Sequence, residues 1–310
     1  MVERKHFGKK LSLHSSEKKD MKPYPTVTTK LVILLGNPLG HSISPPMHNR
    51  VFERLDLDYC YMPVEVTEEN LPTVFAGLAR MNVAGFNVTI PHKTNIIKHL
   101  DELDPLAATI GAVNTITVRD GKTKGYNTDG EGFIRSFEEE TRSTVHGKSF
   151  FLLGSGGAAR AIAMTLAFHG AEKISIHNRT AAKAEDLADE INKKIRPCAA
   201  AAGQPPDSLR KSLAESDVLI NTTSLGMHPQ EEVLPLEESL LSPHLIVADI
   251  VYNPLMTRLL KSAQGKGCPI VPGLGMLIYQ GAAAFKLFTG VDPLVDQMAE
   301  VAHSLMAARQ

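Results

Sequence analysis

The chain has 310 residues, with 33 lysines and arginines against 34 aspartates and glutamates, so its formal charge at pH 7 is −1. Hydrophobic residues make up 43% and charged residues 22%, which is enough apolar material for sizeable cores and excludes global disorder. The balanced charge excludes an electrostatic nucleic-acid partner, and the length predicts about two domains.

The cysteines are few, and neither they nor the histidines have the spacing of metal ligands. Cys60, Cys198 and Cys268 contain no C-x-x-C pair, which favours free thiols in a reducing cytoplasm. The twelve histidines lack the spacing of metal ligands, so no metal site is predicted. No apolar run approaches the roughly 20 residues of a membrane span, and the N-terminus lacks a secretory signal. We therefore expect a cytoplasmic protein without a membrane partner.

The N-terminal head differs from the rest of the chain. Residues 1–20 hold six basic and three acidic side chains and show no sustained hydrophobic period. The head is therefore +3 and the remainder −4, and we expect a disordered tail over residues 1–23.

A first series of strands and helices follows the head. The apolar run Leu31–Leu35 ends in a Gly-Asn-Pro turn, and Ser44 is predicted to be the N-cap of a helix whose first turn holds two prolines. Asp120-Gly121 predicts a two-residue hairpin turn. The further predicted elements are a strand at 59–66, a helix at 68–80, a strand at 83–89 and hairpin strands at 114–118 and 122–126. This alternation predicts an α/β domain with a largely parallel sheet and one antiparallel excursion.

A second series begins near Lys148. Its predicted strands are 150–153, 173–177, 217–221, 245–250 and 269–271, and its predicted helices are 158–169, 181–193, 277–288 and 291–306. The Pro- and Gly-containing stretch Cys198–Pro206 is expected to be a surface loop.

A glycine-rich turn follows the first strand of this second series. Gly154–Ala159 matches G-x-G-x-x-A between a predicted strand and a predicted helix, the context in which such a turn binds a dinucleotide pyrophosphate. The predicted cofactor contacts in this turn are Gly154, Ser155, Gly156, Gly157 and Ala158.

The end of the next strand favours NADP over NAD. An NAD site usually has an acidic residue there, whereas this chain has Asn178-Arg179-Thr180 and, one helical turn later, Lys183. Arg179 supplies planar donors suited to a ribose 2′-phosphate, and Lys183 adds a charge. Use of NAD as well stays open, because Lys183 lacks the bidentate fork of an arginine.

Several short segments, many of them rich in polar residues, stand out along the chain. In chain order they read GNPLGHSISP, FNVTIPHK, GAVNT, YNTDG, GSGGA, NRT, NTTSLGM, VYNP and GLGML-x-x-Q. Together they resemble the shikimate dehydrogenase family, including its quinate/shikimate branch, over about residues 30–305.

The resemblance implies a fold and a domain division. It implies a Rossmann-type dinucleotide-binding domain at 129–274 and an α/β substrate-binding domain at 24–128 with a mostly parallel sheet. The C-terminal helices, 275–310, are expected to complete the substrate domain.

The resemblance also implies a reaction and residue roles. It implies NADP-dependent, reversible reduction of 3-dehydroshikimate to shikimate in aromatic amino-acid biosynthesis, with Lys93 and Asp129 as the catalytic pair. Either member could transfer the proton, because hydride transfer at the ring carbon requires an acid or base at its oxygen. The implied substrate contacts are Ser42, Ser44, Thr89, Asn114, Asp129, Tyr252 and Gln280, and the implied nicotinamide-side contacts are Ile250 and Gly273.

Two alternatives remain open at the level of sequence. The VYNP and LIYQG segments also suit a quinate dehydrogenase with dual NAD/NADP use. A dinucleotide-binding sensor without turnover would need neither Lys93 nor Asp129. The sequence leaves a monomer and a homodimer equally open.

Overall fold

The computed structural model describes residues 25–40, 42–203 and 206–309. The predicted tail at 1–23 lies outside the described residues. Within them, the chain forms two sheets of six strands each, both flanked by helices.

The first sheet is mostly parallel, with strand order β2-β1-β3-β5-β6-β4. Strands β1, β2 and β3 run parallel, the β5–β6 hairpin is antiparallel, and β4 runs parallel to β6. The hairpin turn is Asp120-Gly121, and both residues have positive φ, as the sequence predicts for a tight turn. The strands are β1 (Lys30–Gly36), β2 (Tyr59–Glu65), β3 (Val83–Val88), β4 (Glu102–Leu103), β5 (Thr115–Arg119) and β6 (Lys122–Tyr126), and the helices are α1 (Ser44–Arg54), α2 (Leu71–Leu78) and α3 (Pro105–Ile110).

The second sheet is wholly parallel, with strand order β9-β8-β7-β10-β11-β12. This 3-2-1-4-5-6 order is that of the Rossmann fold, in which ligands bind beyond the carboxyl ends of the strands where the order reverses. Its strands are β7 (Ser149–Leu153), β8 (Lys173–His177), β9 (Ala199–Ala201), β10 (Val218–Asn221), β11 (Ile246–Asp249) and β12 (Ile270–Val271), and its helices are α4 (Asp129–Thr141), α5 (Gly157–Phe168), α6 (Ala181–Lys194), α7 (Pro206–Ala214) and α8 (Arg258–Gly265).

The last two helices return to the first sheet. Helix α9 (Gly273–Thr289) and helix α10 (Val295–Ala307) bury Phe285, Phe288 and Met298 in one apolar cluster with residues of α1, β1 and β2. Helix α4 instead joins the core of the second sheet while packing closely along α9. The α4–α9 contact therefore links the two sheets.

Two predictions about local structure are wrong. Cys198–Pro206 is not only a loop: Ala199–Ala201 pairs with β8 as an edge strand, and Pro206 begins α7, where a missing N–H costs little. Ser44 is the first residue of α1 rather than its N-cap, which is Ile43. The cap residue Ile43 has an apolar side chain, so this helix start has no side-chain capping bond.

Candidate active site

A cleft of about 310 Å³, lined by both polar and apolar side chains, lies between the two sheets and the start of α9. The residues that line it are far apart in sequence. They come from the loops after β1 and β3, the start of α4, the loop after β11, and α9. The predicted residues that line it are Ser42, Ser44, Thr89, Lys93, Asn114, Asp129, Ile250, Tyr252, Gly273 and Gln280. All the substrate-side positions inferred from the sequence therefore meet in one cleft.

Lys93 and Asp129 form an ion pair inside the cleft. Lys93 Nζ lies 2.6 Å from Asp129 Oδ2, and the exposed fractions of the two side chains are 24% and 9%. Asp129 is the first residue of α4, where the helix dipole favours a carboxylate. The Lys93 backbone is fixed too, because its carbonyl accepts a hydrogen bond from the Val113 N–H at 2.8 Å. Such a pair can hold a proton at a substrate oxygen that projects into the cleft.

Asn114 fixes the other oxygen of the aspartate. Its Nδ2 donates to Asp129 Oδ1 at 2.8 Å, and its Oδ1 accepts from the Thr128 N–H at 2.8 Å. Asn127 closes a local Asx turn by accepting from the Asp129 N–H at 3.0 Å. Gln280 Oε1 lies 3.5 Å from Asn114 Nδ2 at the α9 side. The carboxylate is thus held in one orientation from several directions.

Hydroxyl groups line the opposite part of the cleft. Ser42 and Ser44 flank the beginning of α1, with the Ser44 N–H donating to Ser42 Oγ at 3.3 Å. Burial raises the pKa of Tyr252, so its phenol stays a neutral donor. These three side chains can bind an anion by neutral hydrogen bonds.

Asn87 also lines the cleft, although the sequence did not single it out as a site residue. It is buried in β3, two residues before Thr89. The available signal was its place in the NVTIPHK motif, where polar and apolar side chains alternate. Asn87 and Thr89 are two residues apart, so their side chains lie on the same face of an extended strand. This shared face was the indication that Asn87 also belongs to the site.

The glycine turn lies at the carboxyl end of β7, outside the substrate cleft. Gly154 has φ +107°, a conformation that favours glycine, and its N–H donates to the His177 carbonyl of neighbouring β8. A Cβ at Gly156 or Gly157 would meet no atom within 4 Å, so internal packing does not require glycine there. Such open space over the start of α5, whose N-cap is Gly156, suits close approach of a phosphate to backbone N–H groups. The turn therefore fits a dinucleotide.

The basic residues after β8 lie on the same sheet edge, because β7 and β8 are parallel neighbours. Asn178 donates to the Thr180 carbonyl at 2.9 Å and shapes the turn into α6. Neither Arg179 nor Lys183 forms an ion pair with any residue that the structure describes. Both cations are thus available near the N-terminus of α6, where they fit the extra phosphate of NADP.

Metal ligands and membrane-spanning helices were the two remaining features to place within the described residues. No group of three or more His, Cys, Asp or Glu side chains among them is arranged to hold a metal ion. None of the helices in the described ranges is long and apolar enough to cross a membrane.

A Rossmann sheet with a glycine turn, beside a cleft that holds a lysine–aspartate pair, defines a nicotinamide-dependent oxidoreductase. Comparison with known proteins narrows this class. Family models described as the shikimate dehydrogenase substrate binding domain, the shikimate/quinate 5-dehydrogenase and the shikimate 5′-dehydrogenase C-terminal domain match residues 34–116, 137–240 and 273–303. The chain belongs to the shikimate dehydrogenase family.

Individual relatives agree along nearly the whole chain. The shikimate dehydrogenase (NADP⁺) of Methanopyrus kandleri is 45% identical over 88% of this chain and 94% of its own. A crystal structure of a shikimate 5-dehydrogenase from Listeria monocytogenes with shikimate and NAD is 41% identical, with a TM-score of 0.86 over 91% of this chain and 99% of that one. A shikimate dehydrogenase solved with NADP⁺ is 42% identical, with a TM-score of 0.84 over 91% and 97% of the two chains.

Proposed function

We propose that the protein catalyses the NADP-dependent, reversible reduction of 3-dehydroshikimate to shikimate, a step of the shikimate pathway of aromatic amino-acid biosynthesis. The observation that carries this proposal is the Lys93–Asp129 contact of 2.6 Å in a cleft that also holds Ser42 and Ser44. Membership of the family and the names of the relatives support it.

The catalytic pair acts at the oxygen of the substrate carbonyl. When bound, the reduced nicotinamide supplies a hydride to the carbonyl carbon, so that oxygen must gain a proton. Lys93 and Asp129 hold that proton between them, and either can deliver it. The Lys93 charge also stabilises negative charge that develops on the oxygen.

The remaining cleft residues orient the ring. In this proposal Ser42, Ser44 and Tyr252 bind the substrate carboxylate, and Thr89 binds a ring hydroxyl. Asn114 and Gln280 both donate and accept hydrogen bonds, which suits the hydroxyls of a polyol ring. This arrangement fixes one ring carbon next to the lysine–aspartate pair.

The cofactor site is proposed for the residues of the glycine turn and the segment after β8. The residues of the turn, 154–158, bind the pyrophosphate, and Asn178, Arg179, Thr180 and Lys183 surround the 2′-phosphate. Ile250 and Gly273, which line the cleft on the side of the second sheet, contact the nicotinamide end.

Oxidation assays test the proposal directly. NADP reduction is measured with shikimate and with quinate, for the wild type and for Lys93→Ala. We expect turnover with shikimate that is lost in the variant. Turnover with quinate alone would favour a quinate dehydrogenase, the second activity named in the matching family model. No turnover with either substrate would favour a dinucleotide sensor.

The cytoplasmic location and the oligomeric state stay predictions. The three cysteines have free thiols, which suits a reducing compartment. Cell fractionation checks the first prediction, and light scattering after size-exclusion chromatography distinguishes a monomer from a homodimer.

A further inference from the structure

Asp249 is a buried carboxylate without a cationic partner. It ends β11 with 2% of its surface exposed, and it forms no ion pair with any Lys, Arg or His side chain in the part of the chain that the structure describes. A charge that is buried among neutral partners costs free energy. An asparagine at this position would avoid that cost, so the carboxylate indicates a role beyond packing.

Three hydrogen bonds join the Asp249 carboxylate to three points of the chain. Oδ1 accepts from Asn221 Nδ2 and from the Val251 N–H, both at 3.0 Å, and Oδ2 accepts from Thr257 Oγ1 at 2.8 Å. Asn221 ends the neighbouring strand β10, and its own carbonyl accepts from the Ile250 N–H at 3.1 Å. Thr257 is the N-cap of α8. One side chain thus connects β10, the loop after β11 and the start of α8.

Residues 250–257, here named the cleft segment, are held at both ends by these bonds. The cleft segment forms neither helix nor strand, and Asp249 holds it through the Val251 N–H near its start and through Thr257 at its end. Ile250 and Tyr252 of this segment both line the cleft. Val251 lies between them in sequence, so the bond to its N–H restricts where both side chains can lie.

The Tyr252 ring packs on the opposite core. It contacts the apolar cluster of the first sheet and helices α1, α9 and α10, whereas Asp249 belongs to the second sheet. The start of α9 supports the same backbone, because a Cβ at Gly273 would lie 2.6 Å from the carbonyl oxygens of Ile250 and Val251. The backbone that carries Tyr252 is thus held from Asp249 on one side and from α9 on the other.

We propose that Asp249 is a positioning residue that sets the place of Tyr252 in the cleft by holding the cleft segment at Val251 and Thr257. Asp249 itself does not line the cleft, so it acts through Tyr252. The inference rests on the proposed function, because it takes Tyr252 to bind the substrate carboxylate.

A double-mutant cycle tests this role. The KM for shikimate, kcat and the free energy of unfolding are measured for the wild type, Asp249→Asn, Tyr252→Phe and the double variant. Measurements at pH 8 keep Asp249 ionised, because burial raises its pKa only to about 6. An asparagine has one accepting oxygen where the carboxylate has two, so it cannot keep all three bonds.

The expected result separates positioning from stability. We expect Asp249→Asn to raise the KM for shikimate about five- to tenfold, the usual range for one hydrogen bond. The free energy of unfolding should not fall, because removal of a buried charge offsets the lost bond. The double variant should bind shikimate little worse than Tyr252→Phe alone, because both changes act through the same phenol.

Asp101→Asn is the matched control. Asp101 accepts from Thr123 Oγ1 at 2.8 Å and from the Thr123 N–H at 2.7 Å, the same kinds of bond, and it does not line the cleft. This variant should leave the KM for shikimate unchanged. Effects that multiply in the double variant, or an Asp249→Asn enzyme in which stability, kcat and affinity fall together, would overturn the positioning role. A wild-type enzyme inactive with shikimate would instead overturn the proposed function.

A second measurement does not depend on turnover. The protein is labelled with 3-fluorotyrosine and the signals of its six tyrosines are recorded by ¹⁹F NMR, with Tyr252→Phe identifying the signal of that residue. We expect the Tyr252 signal to shift in Asp249→Asn and Thr257→Val, and not in Thr257→Ser, which keeps the hydroxyl, or in Asp101→Asn. An unshifted Tyr252 signal in Asp249→Asn would contradict the proposal whether or not the protein acts on shikimate.

Discussion

Gly132 of α4 lies directly against Gln280 of α9. A Cβ placed at Gly132 would come within 2.6 Å of the Gln280 backbone nitrogen and 2.7 Å of its Cβ, distances that real contacts do not reach. The same two helices present Asp129 and Gln280 to the cleft. The absence of a side chain at residue 132 therefore sets how closely the aspartate and the glutamine approach each other.

Gly132→Ala should separate these helices and displace Gln280. We expect a higher KM for shikimate and a loss of about 1–3 kcal/mol in the free energy of unfolding, the usual range for overpacking. Activity assays and denaturant unfolding measure the two effects. Gly77→Ala in α2 is the control, because its Cβ would meet no atom within 4 Å. Equal behaviour of the two variants would show that α4 and α9 tolerate the added methyl.

Lys93→Met removes the ammonium of the catalytic pair while keeping much of the side-chain volume. We expect kcat to fall about 10²- to 10⁴-fold, the usual contribution of a positioned acid or base, with NADP affinity unchanged. Lys98→Met, at an exposed lysine in the following short 3₁₀ helix, should keep full activity. A Lys93→Met enzyme with near-normal kcat would remove Lys93 from the chemistry.

Asp129→Asn separates the roles of the two partners. The amide keeps the shape of the carboxylate but loses its charge and its capacity to take a proton. If Asp129 moves the proton, kcat should fall as far as in Lys93→Met. If it only positions Lys93, kcat should fall less and the pH–rate profile should shift. Profiles of kcat for both variants between pH 6 and 10 make this comparison.

Local patterns in the sequence predicted the parts of the fold that depend on neighbours in the chain. The Asp120-Gly121 hairpin and the glycine turn at Gly154 follow from backbone conformations that few residues adopt. The edge strand β9 did not follow, because three alanines beside a Pro/Gly stretch form a strand only through pairing with β8. The hydrogen bond from the Tyr61 hydroxyl to Asn87 was equally invisible, since the two residues are 26 positions apart in sequence.

Asp249 gives the stability of the protein a pH dependence. It is buried at the end of β11, and burial raises its pKa from the usual 3.8 to about 6. Between these two values the native state binds more protons than the unfolded state, so stability falls as the pH rises from about 4 to 6. At neutral pH the ionised carboxylate therefore costs at most about 3 kcal/mol relative to its protonated form. Unfolding free energies of wild type and Asp249→Asn, measured from pH 4 to 7, should diverge in slope over that interval. Parallel curves would contradict the raised pKa.

Arg179 and Lys183 should decide the preference for NADP. Arg179→Ala removes a charge-assisted hydrogen-bond donor, for which about 1.5–3 kcal/mol is usual, so we expect the Kd for NADP to rise roughly 10- to 100-fold. NAD has no 2′-phosphate, so its Kd should change little.

Lys183→Arg should shift the preference further towards NADP, because a guanidinium can bind the phosphate in a bidentate manner. Lys193→Ala, at an exposed lysine near the other end of α6, is the control and should leave both affinities unchanged. Titration calorimetry with each dinucleotide provides the four pairs of constants. Equal losses for NAD and NADP in Arg179→Ala would mean that Arg179 contacts a group common to both cofactors.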